Sequence, residues 1–397
     1  MYSVFFLIRP QEILGVLANM PIPLERITAI FVLIVIFFKY KLQRSTKLSL
    51  NNISYSMMAY VFVALLTVTT AIWIEHAFEI WMKLCILLIV FFMITSLIDS
   101  RKYLDYYIGF IVFTSTFHAS GSIFNYYNGI YQYRMGIKRA IGMDVSYGGP
   151  NALAATMVYT LPFIYYFYKQ STSMVVRLFL LACTCTLLWC IILTGSRTGM
   201  IGAIFFALLL VWESKNKIIN LIFVIILSMS FWVLMPSEYQ ERLLSSTDIE
   251  SGSSSAESAS GRISGLISGY KLLSNRPLLG YGIGCFAIAH DQVLDRGWFQ
   301  SHSLPGQIMG ELGLLGILAF IVWMYYLFKN LKILGNNESP DKKLRIQTKY
   351  LAISLRMQLL CLFMLGLAGH NLYRYNWFII SAIIVILLKL LRNAKQT

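Results

Sequence analysis

Charge is what this sequence has least of. Only 13% of its 397 residues are charged while 57% are hydrophobic, with a mean hydropathy of +0.66. A soluble domain of that length is excluded, and a polytopic membrane protein is what remains. Acidic side chains are scarcer still, 18 against 33 Lys and Arg. The usual metal-ligand spacings are missing as well. No D-x-D falls on a loop expected outside the membrane, and there is no H-E-x-x-H or Cys-x-x-Cys, so the expected chemistry is metal-independent and without a cofactor. Of six cysteines, Cys85, Cys183, Cys185, Cys190 and Cys361 lie in apolar runs and only Cys285 in a loop, which argues against a disulfide framework. No repeat of 20 to 50 residues is visible, so an inverted-repeat transporter is not favoured. Met1 to Ile8 has no basic leader and no small-residue cleavage site follows, so the first segment is expected to stay in the mature chain.

The apolar residues are gathered into runs long enough to cross about 30 Å of hydrocarbon as helices. They fall near 24–39, 54–74, 80–98, 104–120, 149–168, 176–194, 198–212, 218–235, 305–328, 350–368 and 376–391, and Met1 to Met20 supplies a twelfth. Alternating the sides from an inner loop at 39–53 puts 19 Lys and Arg in the inner segments. That asymmetry is the positive-inside pattern, and it places both termini in the cytoplasm. The basic excess follows one membrane side and forms no contiguous stripe, which argues against nucleic-acid binding. The expected organisation is spans one to nine over 1–235, an outer loop over 236–303 and spans ten to twelve over 304–397.

Two outer loops are substantial, Gly121 to Gly148 and Pro236 to Ser303. The second opens with the Ser/Gly/Glu-rich stretch Ser245 to Gly261, expected to be a mobile linker. Beyond it, Ile263, Leu266, Ile267, Tyr270 and Leu273 recur at helical spacing, predicting an amphipathic helix that Asn275-Arg276-Pro277 ends and that lies on the rim of the bundle or among the headgroups. Gly280, Gly282 and Gly284 form G-x-G-x-G with no preceding strand, so they predict a tight turn and not a dinucleotide fingerprint. The inner segment Lys329 to Lys349 is predicted to be a solvated basic loop.

Cations near membrane depth need a reason. Lys83 and Arg356 are close enough to span ends to snorkel. Arg197 stands in a Gly-Ser-Arg-Thr-Gly corner, Gly195 to Gly199, between two apolar helices, where it is either an anion site at a helix start or a snorkelling side chain. Arg134, Lys138, Arg139, Arg262, Arg276 and Arg374 are expected on the same side, a set that could cradle a diphosphate through bidentate guanidinium contacts. His302, just before a span that begins Leu304-Pro305-Gly306, is either an interfacial hydrogen-bonding group or a base for an attacking hydroxyl. His370, in G-H-N-L-Y-R-Y-N, is the second such candidate, whereas His76, His118 and His290 sit in no interpretable pattern.

Several pieces, taken in order, resemble the O-antigen ligase and Wzy-type polymerase superfamily of bacterial membrane glycosyltransferases. They are Gly149-Pro150-Asn151, Ser196-Arg197, Arg262, the turn Pro277 to Phe286, and His302 followed by Glu311 to Gly316 (E-L-G-L-L-G). One departure is Ser303, where the family commonly has Asn; Arg9-Pro10-Gln11-Glu12 is similar to ligase-like members associated with exosortase systems. The resemblance implies an all-α, GT-C-like fold of about twelve transmembrane helices in the bacterial inner membrane, with a large, partly helical periplasmic loop and the active site on the periplasmic face. It implies a glycan donor linked to undecaprenyl diphosphate and an acceptor such as lipid A core, with membrane lipid as the surrounding partner. A glycosyl diphosphate carries its own leaving group, so the expected chemistry is a one-step inverting transfer with Arg197 and Arg262 on the diphosphate and His302 as base. Arg134, Lys138, Arg139, Arg276, His370 and Arg374 are the expected diphosphate or glycan contacts. A polymerase joining lipid-linked repeat units and a transporter of lipid-linked or anionic saccharide are the alternatives.

Overall fold

The computed structural model describes residues 27, 28, 30, 31, 34, 50–134, 136–143, 149–235, 237–244, 254–339 and 341–394. The span expected at Met1 to Met20 and most of the one at 24–39 lie outside them. Ten of the remaining apolar runs are helices: α1 (Asn52–Thr69), α2 (Ile74–Leu97), α3 (Arg101–Tyr127), α4 (Pro150–Gln170), α5 (Met174–Leu193), α6 (Arg197–Glu213), α7 (Lys217–Leu234), then, after the loop region, α11 (Leu304–Gly335), α12 (Lys342–Gly366) and α13 (Tyr375–Asn393). Between them lie a hairpin, β1 (Gln132–Arg134) and β2 (Ile137–Arg139), and the shorter helices α8 (Ser237–Leu244), α9 (Ser254–Asn275) and α10 (Phe286–Gln292). Seven of the described helices, α1, α2, α3, α5, α11, α12 and α13, are long and apolar enough to cross a membrane. The protein is therefore all-α with one small hairpin, and a count of twelve spans is not reached among the described residues.

Helix boundaries follow local chemistry. Asn51, Ser196 and Ser303 cap α1, α6 and α11 by accepting a first-turn backbone N–H, and Asp341 does so twice for α12. Three expectations about the connections are corrected. The run at 104–120 continues as helix to Tyr127, and the loop after it holds the hairpin. Helix α9 begins at Ser254, so the last part of the expected linker is helical; the stretch 245–253 lies outside the described residues. At the inner loop, α11 runs to Gly335 and α12 starts at Lys342, which leaves only a short connection. On α9 the apolar stripe is exposed, with Ile263 at 61% and Tyr270 at 64%, while the face carrying Gly265, Ser268 and Gly269 is buried.

The chain divides into two units, Met1–Ile34 with Asp105–Ala256, and Val35–Leu104 with Glu257–Thr397. In the first, α4 packs on α5 and α6, and α6 on α7. Tyr166 of α4 donates to Asp105 at 2.6 Å and Thr160 to Ser115 at 2.8 Å, tying α4 to α3. The unit also has two apolar clefts of about 430 and 630 Å³, neither lined by an expected site residue. In the second, α11 packs against α1, α12 and α13, and α13 against α2. Its core is aromatic. Trp323 and Trp377 are fully buried among Tyr60, Phe320 and Phe378, and each indole N–H has an acceptor, Ser381 Oγ at 3.1 Å and the Asn371 carbonyl at 2.9 Å.

Candidate active site

In the second unit the site is built on an interrupted helix. At Gly313 the backbone of α11 leaves helical geometry, with φ 63° and ψ −161°, values open essentially only to glycine. A break at that point releases backbone groups that hydrocarbon cannot satisfy. The turn Pro277 to Gly284 takes them. Tyr281 and Gly282 donate to the Gly310 and Glu311 carbonyls at 3.0 Å, and Leu314 and Leu315 donate to the Pro277 and Leu278 carbonyls at 2.8 and 3.2 Å. The two glycine-rich motifs are thus halves of one backbone clasp. Gly280, Gly282 and Gly284 all have positive φ, in keeping with the tight turn expected.

Glu311 closes the clasp. It is 1% exposed and accepts from the Gly284 N–H at 2.8 Å, from Gln307 Nε2 at 3.4 Å, from the Phe286 N–H and from the Tyr373 hydroxyl. Burial, with Glu311 beside it, pushes the Tyr373 phenol well above its ordinary range. Cys285, in the same turn, is buried against the Trp73 carbonyl, and its thiol is pushed up to about 11. It is therefore a protonated packing group rather than a nucleophile.

His302 lies just ahead of α11, between two buried serines. Ser301 donates to the Ser303 carbonyl at 2.9 Å, and Ser303 caps α11, so the position where the family commonly has Asn carries a helix cap here. Between them His302 is exposed and held at φ 44°, a left-handed conformation that costs a non-glycine residue about 1–3 kcal/mol. Its ring packs against Phe299 and against His370, with centroids 5.5 and 5.4 Å apart. Desolvation, together with His302 and Arg374 nearby, pulls the His370 imidazole down to about 4, so it is neutral at pH 7.

Helix α9 is seated directly on this turn. A Cβ on Gly265 would fall on the Ser301 carbonyl oxygen, one on Gly269 would come within 2.5 Å of the Gly306 oxygen, and one on Gly261 would touch the Phe299 ring. Glycine at every fourth position lets the two backbones touch. Arg262 follows Gly261 on this helix, and partial burial lowers its pKa, the mark of a cation stripped of some of its water. Arg276 stands apart from His302 in its bonding: it donates to the Thr70 carbonyl at 2.9 Å and lies over the Tyr281 ring, bracing the clasp. Arg374 starts α13 beside His370.

In the first unit, Gly195 turns the chain at φ 56° and Ser196 Oγ accepts from Gly199 N–H at 3.2 Å, which sets half-buried Arg197 at the first position of α6. The hairpin docks on this corner through Ile137, packed with Ile192, Met235 and Tyr239. Arg139 is 5% exposed and spends its guanidinium on the Thr194 carbonyl at 2.7 Å and on Asn151 Oδ1 at 2.9 Å. The Tyr239 hydroxyl bonds the Lys138 carbonyl, and Tyr126 donates to it at 3.0 Å. Arg134 and Lys138 are exposed on the hairpin, Lys138 over the Tyr131 ring.

The expected residues therefore form two sets: Arg197 with Arg134, Lys138 and Arg139 in the first unit, and Arg262, His302, His370 and Arg374, with Arg276 as a brace, in the second. Sequence reasoning missed Glu311 and Tyr373 as a pair. It also missed Asn371, 5% exposed and donating to the Leu362 carbonyl at 2.8 Å, and the seat formed by Gly265 and Gly269. The spacing of the glycines was the readable signal. No curated protein sequence matches the chain. Residues 181–321, the stretch that holds Arg197, Arg262, the Pro277 to Phe286 turn, His302 and Glu311, match the family described as O-antigen ligase, which is the family that its motifs resemble.

Proposed function

We propose that the chain is an O-antigen ligase-like glycosyltransferase of the bacterial inner membrane, with about twelve spans, both termini in the cytoplasm and its active site on the periplasmic face. The observation that carries this reading is His302, held exposed in a left-handed turn beside neutral His370 and seated on the helix that bears Arg262. Fixed geometry of that kind suits general-base catalysis. His302 takes the proton of the acceptor hydroxyl as its oxygen attacks the anomeric carbon. The bond from that carbon to the diphosphate oxygen breaks, and the leaving diphosphate keeps the electron pair. Arg262, being partly desolvated, stabilises that charge more than a fully hydrated cation would. Arg197 keeps the diphosphate role implied by the resemblance, and Arg134, Lys138 and Arg374 the role of glycan or phosphate contacts. We assign Arg139 and Arg276 to structural bracing on the strength of their bonds.

The donor is a glycan on undecaprenyl diphosphate and the acceptor lipid A core or a similar glycan. A polymerase would use the same base and cations with a second lipid-linked unit as acceptor. The test is a reconstituted assay with the lipid-linked donor, with and without lipid A core, read as product size. Product only with the acceptor supports the ligase, a ladder from donor alone indicates the polymerase, and no product from either overturns the reading. His302→Ala is expected to abolish turnover and to leave donor binding within about twofold. An active variant would remove His302 as the base.

A further inference from the structure

Glu311 has more partners than the clasp requires. The Gly284 and Phe286 N–H groups and the Gln307 amide already satisfy a carboxylate, and all three belong to the turn or to α11 itself. The Tyr373 hydroxyl is different, because it comes from the turn between α12 and α13, 62 positions away. That turn is fixed at two other points, Asn371 to the Leu362 carbonyl of α12 and Trp377 of α13 to the Asn371 carbonyl. Neither touches α11. Of these three bonds, only Tyr373 to Glu311 runs from the turn carrying His370 to the helix that His302 precedes. A carboxylate buried within an apolar span is costly, and one whose work ended at the clasp could be replaced by a neutral acceptor.

We propose that Glu311, acting through Tyr373, is a positioning residue that holds the turn bearing His370 and Arg374 against the start of α11, and so sets the His302–His370 pair. The catalytic consequence rests on the functional reading above, whereas the tether does not. Tyr373 is bonded into the site by its hydroxyl, to Glu311 and, at 3.3 Å, from the Gly284 N–H. Tyr373→Phe therefore keeps the ring and leaves the clasp its backbone bonds, removing the tether alone.

The experiment uses the full chain in nanodiscs with ¹⁵N-histidine, each of the five histidines being assigned by its own substitution. The groups facing His370 are His302 from the start of α11 and Arg374 from its own turn. In the wild type His370 is expected to stay neutral until the pH falls to about 4. In Tyr373→Phe the turn recedes from the start of α11, so the His370 ring loses its contact with His302 and its midpoint moves up towards the ordinary histidine value of about 6.5. With the lipid-linked donor, the same variant is expected to lose about tenfold or more in kcat with donor KM changed less than about twofold. Glu311→Gln, which keeps one carbonyl acceptor for the turn, should fall between wild type and Tyr373→Phe in both readouts. An unmoved His370 titration in Tyr373→Phe overturns the tether. A moved titration with wild-type kcat overturns the positioning role. A wild type that turns over no donor overturns the glycosyl-transfer reading, and the titration then decides the tether alone.

Discussion

Gly265→Ala is the most informative single substitution, because stability and activity are expected to answer differently. A carbon rests about 3.3–3.6 Å from a carbonyl oxygen at contact. The new Cβ would lie well inside that distance from the Ser301 oxygen, a backbone atom that cannot swing away as a side chain does. Overpacking of this kind costs about 1–3 kcal/mol. Alanine in place of glycine in a helix returns about 1 kcal/mol. The net loss of stability is therefore modest, about 0–2 kcal/mol. From 1.8 Å to contact the turn at Ser301 to Ser303 has to recede by about 1.5 Å, and a base displaced by even about 1 Å loses about 100-fold in rate. The assay pairs thermal unfolding in detergent with initial rates of glycan transfer. Ser274→Ala, on the exposed last turn of the same helix, is the control and should leave both unchanged. A Gly265→Ala protein with wild-type rate and midpoint would refute the seating of His302 on α9.

Arg139→Ala should lower the unfolding free energy by about 1.5–3 kcal/mol, since it leaves the Thr194 carbonyl and Asn151 without the buried guanidinium; an unchanged midpoint would return Arg139 to the list of ligand contacts. Gly313→Ala forces a Cβ into a backbone conformation it rarely adopts and to 2.6 Å from the Leu278 carbonyl, so a loss of about 1–3 kcal/mol is expected in the same unfolding measurement. His370 binds its proton more weakly folded than unfolded. Between pH about 6.5 and about 4 the unfolded chain therefore holds more protons, and stability contributed by this group is complete above the upper value and falls as the pH falls through the window. His370→Gln should flatten the slope of the unfolding midpoint against pH in that window, and an unaltered slope would contradict the shifted imidazole.

Most of the helices were legible because each long apolar run must satisfy its backbone within itself. The site was legible only as a set of candidates. His302 and Arg262 could be named from their motifs, yet nothing in the spacing of Arg139 distinguishes a ligand contact from a brace that bonds Thr194 and Asn151. Helix α9 shows what periodicity leaves open about packing. Ile263, Leu266, Ile267 and Tyr270 mark one face at helical spacing, which in water would be the packed face. Here the glycine face packs and the apolar face is exposed, because beside lipid small residues permit close backbone approach and large apolar ones need no cover.

The sequence by itself determined that this is a helical membrane protein, where most of its long helices run, and which motifs are candidates for the site, since hydropathy and glycine placement are local properties of the chain. Tertiary structure alone decided that the Pro277 turn and the Gly313 break are one clasp, that Glu311 reaches Tyr373, and that His302 meets His370. Those contacts join residues tens of positions apart. They depend on how a broken helix satisfies its freed backbone groups, which no local pattern specifies.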